Sequence, residues 1–246
     1  MSRVAILGAS GTIGRALTEL LSTTGQRVLL VGRNADRLEA VSKEWNQPFA
    51  VADCSSSQSL EDTLKRSADQ DGPFRGIVNC IGSVVLKPAH LTTDDEFRQT
   101  LETNLFTAFA TVRAAARLLR NPESGGSVIL FASAAAEVGI QNHEAIAAAK
   151  GGVIGLARSA AATYAPANIR VNVISPGLIR TDMTRRIWEN PAGAAASIAM
   201  HALGRLGEPQ QVASLAGWLL DPAQSFITGQ VIGVDGGLGH VLARRG

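Results

Sequence analysis

The chain has 246 residues, 46% of them hydrophobic and 18% charged, with 25 glycines and a formal net charge of +2. Charges of both signs are interspersed, which argues against a nucleic-acid surface, and no apolar run approaches the ~20 residues of a membrane span. Cys54 and Cys80 are too scattered for a disulfide framework, no His/Cys/Asp/Glu spacing suggests a metal, and no leader pattern precedes Val4, so a soluble cytoplasmic protein is expected.

Short apolar strands alternate with helical patterns from end to end. A strand from Val4 enters a glycine turn, and a helix starts at about Thr12. Val28–Val31 is a second strand, followed by a helix over Asp36–Trp45; Phe49–Ala52 is a third, followed by a helix over Ser59–Asp69. Gly76–Asn79, Ser127–Phe131, Val171–Ile174 and Gln230–Val234 complete the strands, with long helices over Asp94–Leu119, Glu144–Tyr164 and Pro209–Leu220. Unalternated strands separated by helices imply a parallel sheet covered on both faces. The expected architecture is one doubly wound α/β domain over 1–246 with a seven-stranded parallel sheet.

Gly8, Gly11 and Gly14 punctuate the first turn. They leave no Cβ where the turn is tight and where a pyrophosphate must approach backbone N–H groups, and the following helix points its positive end there. A plain βα turn is the bland alternative, but the position between a predicted strand and helix favours a dinucleotide. The second strand ends in Gly32-Arg33-Asn34, without the carboxylate that would bond the ribose hydroxyls and repel a 2′-phosphate. Arg33 offers a planar charged fork, so NADP(H) is expected over NAD(H), against the alternative of a solvated loop charge. Asp53 is placed to accept from an adenine amino group, or serves as an Asx-type loop cap.

Further along stand Asn79-Cys80-Ile81-Gly82 after the fourth strand, Asn104 in Thr103-Asn104-Leu105, Ser133 in Phe131-Ala132-Ser133, Lys150, and Pro176-Gly177-Leu178-Ile179-Arg180-Thr181. Gly204-Arg205-Leu206-Gly207-Glu208-Pro209, Ile227-Thr228-Gly229-Gln230 and Val234-Asp235-Gly236-Gly237 follow. In this order, over nearly the full length, these segments resemble the short-chain dehydrogenase/reductase family, most closely its 3-oxoacyl-carrier-protein reductase branch. The resemblance implies a Rossmann-type fold. It implies cofactor contacts at Gly8, Ser10, Gly11, Thr12, Ile13, Gly14, Arg33, Asp53, Cys54, Asn79, Ile81, Gly82, Lys150, Pro176, Gly177, Ile179 and Thr181. Ser133 would orient the substrate carbonyl, Asn104 would help hold a relay water, and Lys150 would hold the nicotinamide ribose. The stretch 182–205 falls at the family's substrate lid, where Ile187, Trp188 and Met200 either line an apolar pocket or pack the lid shut. A homo-oligomer, tetramer or dimer, is implied through the helices over Asp94–Leu119 and Glu144–Tyr164, the second of which is apolar on more than one face.

The chain departs from the family at two positions. Thr12 stands where the glycine loop usually has glycine. More consequentially, Ile146 occupies the place of the tyrosine acid, four residues before Lys150, and the single tyrosine, Tyr164, lies fourteen residues beyond that lysine. General acid catalysis contributes typically ~10²–10⁴-fold, so its loss slows an assembled site rather than abolishing turnover. His143, three residues before Ile146, is a candidate substitute, with a loop histidine as the bland alternative; Lys150 with a pKa lowered by burial is another. His90, His201 and His240 are isolated and read as surface or structural residues. Three functions compete: an NADP(H)-dependent oxidoreductase acting on a small-molecule carbonyl or alcohol, a catalytically silent dinucleotide-binding sensor or scaffold, and a lyase or isomerase with a structural dinucleotide.

Overall fold

The computed structural model describes residues 3–119 and 125–242. Strands β1 (Arg3–Leu7), β2 (Val28–Gly32), β3 (Phe49–Val51), β4 (Phe74–Asn79), β5 (Gly126–Phe131), β6 (Ile169–Pro176) and β7 (Val231–Val234) form one sheet in the order β3-β2-β1-β4-β5-β6-β7. Every pairing is parallel. β1, β2 and β5 are buried along their whole length, which is why they read as unbroken apolar runs. From β1 the sheet grows outward to β3 on one side and from β4 to β7 on the other. The crevice at the carboxyl ends of β1 and β4 is therefore the topological switch point, where ligands of such sheets bind.

The helices are α1 (Thr12–Thr23), α2 (Ala35–Trp45), α3 (Ser57–Asp71), α4 (Asp94–Leu101), α5 (Thr107–Leu118), α6 (Glu144–Tyr164), α7 (Arg185–Trp188), α8 (Pro191–Met200) and α9 (Pro209–Leu220). On one face of the sheet, Leu17 and Leu21 of α1 and Val212 and Leu219 of α9 close over Val4, Ile6 and Ile129. On the other, Leu64 of α3, Ala115 of α5 and Val153 of α6 close over Ala5, Leu7 and Val171. Local chemistry marks the boundaries: Asn34 caps α2 through Arg37 N, Ser56 caps α3 through Ser59 N, and Thr93 with Glu96 forms a capping box on α4.

The sequence expectation of one helix over Asp94–Leu119 is corrected. Residues Glu102–Phe106 form a π-helical turn between α4 and α5. Side chains here bond to carbonyls one turn back: Thr100 Oγ1 to Glu96 O at 2.7 Å, Asn104 Nδ2 to Thr100 O at 2.9 Å and Thr107 Oγ1 to Thr103 O at 2.8 Å. Such bonds compete with the α-helical ladder, and π turns collect at functional sites.

Candidate functional site

The glycine loop is built for close approach. Gly8 has φ +76°, and a Cβ on Gly14 would lie 2.4 Å from Gly8 O and 2.8 Å from Ala9 Cα. α1 starts at Thr12 with Gly11 at its N-cap and so no side-chain cap, whereas α2 and α3 both have one. The first amides of α1 are thus free of side-chain partners at the mouth of the crevice, the chemistry that a pyrophosphate requires. Beside the loop lies a groove lined by Gly8, Ser10, Gly11, Arg33, Asn34, Arg37, Asp53 and Cys54. Arg37 Nη2 donates to Ser10 O at 3.3 Å. Asp53 Oδ1 accepts from Ser55 N at 3.0 Å and Ser55 Oγ at 2.7 Å, the Asx turn of the bland alternative, and these bonds hold its carboxyl below the usual carboxylate range. Burial pushes the Cys54 and Cys80 thiols up to about 12, which keeps both in the thiol form near neutral pH.

From the loop a cavity of about 340 Å³ runs beneath the segment that carries Met183, Ile187 and Met200, lined by Gly11, Thr12 and Ile13, by Gly82 and Asn104, by Ser133, His143, Ile146 and Lys150, and by Pro176, Gly177, Ile179 and Thr181. Asn79 shapes its wall: its Oδ1 accepts from Ile81 N at 2.9 Å and its Nδ2 donates to Thr107 Oγ1 at 3.2 Å. Ser133 Oγ accepts from Ala135 N at 3.2 Å, which leaves its hydroxyl hydrogen free to donate. Lys150 Nζ donates to Phe131 O at 2.8 Å, and burial pulls the ammonium pKa down to about 8. Both amide hydrogens of Asn104 are engaged, with Ser83 Oγ and Thr100 O, while its Oδ1 accepts from Ser83 N. This side chain holds the 83 loop, so a relay water would need the Asn104 backbone instead. Ile146 is 4% exposed, and His143 lies just outside α6 with Nδ1 2.7 Å from Gln141 O. Tyr164 lines a separate groove between α5 and α6.

Residues 8–239 match the family described as "Enoyl-(Acyl carrier protein) reductase". The chain is 34% identical over 240 residues to the 3-oxoacyl-[acyl-carrier-protein] reductase of Mus musculus, covering 95% of this chain and 96% of that one. It is 33% identical over 239 residues to the 2,5-dichloro-2,5-cyclohexadiene-1,4-diol dehydrogenase of Sphingobium indicum, covering 95% of each. The solved structure of a short-chain type dehydrogenase/reductase from Mycobacterium ulcerans superposes with a TM-score of 0.92 at 29% identity, over 97% of this chain and 90% of that chain. The chain belongs to the short-chain dehydrogenase/reductase family.

Short-chain dehydrogenase/reductases use nicotinamide dinucleotides. The cavity and the groove are lined by the expected residues except Asn79, which stands just behind the wall, and Gly14, which is packed against the backbone of Gly8 and Ala9. Three features went unread. Arg37 adds a second guanidinium to the Arg33 groove, a signal present in the spacing Arg33-x-x-x-Arg37 across the start of α2. Asp182 N donates to Thr12 Oγ1 at 3.2 Å and Thr12 Oγ1 lies 3.4 Å from Asp182 Oδ2, joining the segment after β6 to the glycine loop across 170 residues. His201 is 4% exposed and fully hydrogen-bonded. The lid alternatives divide: Ile187 and Met200 line the cavity, while Trp188 Nε1 donates to Thr181 O at 3.0 Å and packs the lid base. His90 lies exposed on the 89–91 turn, and His240 Nε2 is 3.6 Å from Glu137 Oε2. Among the described residues no helix is long and apolar enough to cross a membrane.

Proposed function

We propose that the chain is an NADP(H)-dependent oxidoreductase that interconverts a carbonyl and an alcohol, with His143 as proton donor where the family's pattern has a tyrosine. The observation that carries this reading is the single cavity lined by Ser133, His143 and Lys150 together with the uncapped start of α1 and the 176–181 turn. When bound, the reduced nicotinamide supplies a hydride to the carbonyl carbon. Ser133 Oγ–H meets the carbonyl oxygen as negative charge builds on it. His143 keeps Nδ1–H on the Gln141 carbonyl, so its imidazolium presents Nε2–H as the acid. Lys150, anchored on Phe131 O, holds the nicotinamide ribose, and Arg33 with Arg37 meets the 2′-phosphate.

A second reading, a silent dinucleotide-binding protein, is favoured by one observation: Ile146 is buried and has no proton to give. The test is NADPH consumption over ketones, β-ketoacyl thioesters and quinones by wild type, His143→Ala and Ile146→Tyr. Turnover by wild type that falls in His143→Ala supports the oxidoreductase. Silence in wild type with activity in Ile146→Tyr supports the second reading, and turnover untouched by His143→Ala removes His143 from the mechanism. The same reading takes the chain as one domain over 1–246, with its lid at 182–205, working in the cytoplasm as a homo-oligomer. Support for the oligomer comes from half-exposed Phe106 and Phe109 beside the α5/α6 groove; a monomeric mass by light scattering would refute it.

A further inference from the structure

His201 stands where four segments meet. It follows the last residue of lid helix α8, its ring faces the turn after β6, its carbonyl accepts from Gly204 N at 2.9 Å, and its Cβ is 3.4 Å from where a Cβ on Gly236 would sit. Leu178 N donates to His201 Nε2 at 3.1 Å, and His201 Nδ1 lies 2.6 Å from Ser197 O. A backbone amide only donates, so Nε2 must present its lone pair. The hydrogen of the neutral ring is then on Nδ1 and is donated to the Ser197 carbonyl. Both ring nitrogens are thereby used inside the protein, which removes His201 from the list of acids and ligands. Gly177 explains how close this junction is: a Cβ there would lie 2.5 Å from Nε2 and 3.0 Å from Asp235 Cα, so the turn presses its bare backbone onto the ring.

We infer that His201 is the positioning residue for the nicotinamide half of the cleft, tying α8 through Ser197 to the backbone of the 176–178 turn, so that the lid and that turn move as one piece. The inference rests on the proposed reading that the cleft holds a nicotinamide dinucleotide. The turn serves that half because Pro176 and Gly177 line the cavity with Ser133 and Lys150, whereas Arg33 and Asp53 line the neighbouring groove. Loosening His201 should therefore weaken recognition of the nicotinamide end and leave the adenosine end untouched.

Calorimetric titration with NADPH and with 2′-phospho-ADP-ribose, which lacks the nicotinamide, separates the two ends. Glutamine is long enough to place an acceptor near the Nε2 position, whereas asparagine reaches only as far as Nδ1. The expected result is that His201→Asn and His201→Ala bind NADPH about tenfold more weakly, the effect of one buried hydrogen bond, while 2′-phospho-ADP-ribose binds as in wild type. His201→Gln should recover most of the loss. NADPH binding unchanged in His201→Asn and His201→Ala would overturn the inference. So would a parallel loss of both ligands, which would make His201 a general stabiliser, or recovery by asparagine and not by glutamine. Wild type that binds neither ligand overturns the NADP(H) reading itself, and this inference with it.

Discussion

Thr12 and Asp182 hold each other across the mouth of the cleft, the Asp182 amide donating to Thr12 Oγ1 at 3.2 Å. The contact joins the start of α1 to the segment after β6, 170 residues away in sequence. Thr12→Gly should loosen the segment around Asp182, and because the bond is solvent-exposed the gain in local opening is modest, roughly two- to fivefold. Hydrogen exchange over residues 178–190 reads it directly. Exchange at the wild-type rate would mean that the segment is held elsewhere.

Arg33 and Arg37 share a groove whose one carboxylate, Asp53, is already bonded to Ser55 through Oδ1. Arg33→Ala and Arg37→Ala should each weaken NADPH binding by about tenfold to a hundredfold, the value of a charge-assisted bond to phosphate, with little change for NADH. Equal losses for both dinucleotides would mean that the guanidinium contacts something other than the 2′-phosphate.

Lys150 carries a pH dependence whose direction follows from its burial. Desolvation lowers its pKa from 10.5 to about 8 in the folded chain. Between those values the unfolded state binds the extra proton, so this group makes stability rise with pH there; below about 8 the full penalty of burying an ammonium remains. That penalty is on the order of 3 kcal/mol, offset by about 1 kcal/mol for the bond to Phe131 O. Lys150→Met should therefore be more stable than wild type by about 1–2 kcal/mol in urea unfolding at pH 7, with the advantage gone near pH 10. A methionine variant less stable at pH 7 would contradict the desolvation account.

Gly14 tests the glycine loop without any ligand. A Cβ at this position meets the backbone of Gly8 and Ala9, neither of which can swing aside as a side chain would. Gly14→Ala should cost about 1–3 kcal/mol, seen as a lowered Tm. A Tm unchanged within error would show that the loop relaxes around the methyl.

The strands were legible because burial on both faces leaves a plain mark, an unbroken run such as Val4–Leu7 or Val28–Val31. The bounds of α6 and α9 were legible too, since Tyr164 and Leu220 end uninterrupted apolar patterns. The π turn was not, because Thr100, Asn104 and Thr107 read as ordinary helix residues until their side chains are seen bonded to the carbonyls one turn back. At the cavity, Ser133 and Lys150 were singled out through spacing within a resemblance, and both line it. The ring of His201 and the hydroxyl of Thr12 were not, because their partners Leu178 and Asp182 lie 23 and 170 residues away. Long-range polar contacts leave no local pattern to read.

The π-helical turn at Glu102–Phe106 is in effect an α-helix carrying one surplus residue, and that surplus sets the rotational phase of everything after it. α4 and α5 do not share one continuous stripe: the turn offsets the facing of Thr107, Thr111 and Ala115 from that of Thr100. A substitution at Asn104 removes its bonds to Ser83 and Thr100, whereas deleting a single residue from the turn would rewind the segment into plain helix and change the facing of everything after it. The length of the segment therefore matters as well as its letters, and its reading frame along the helix axis is itself part of the site.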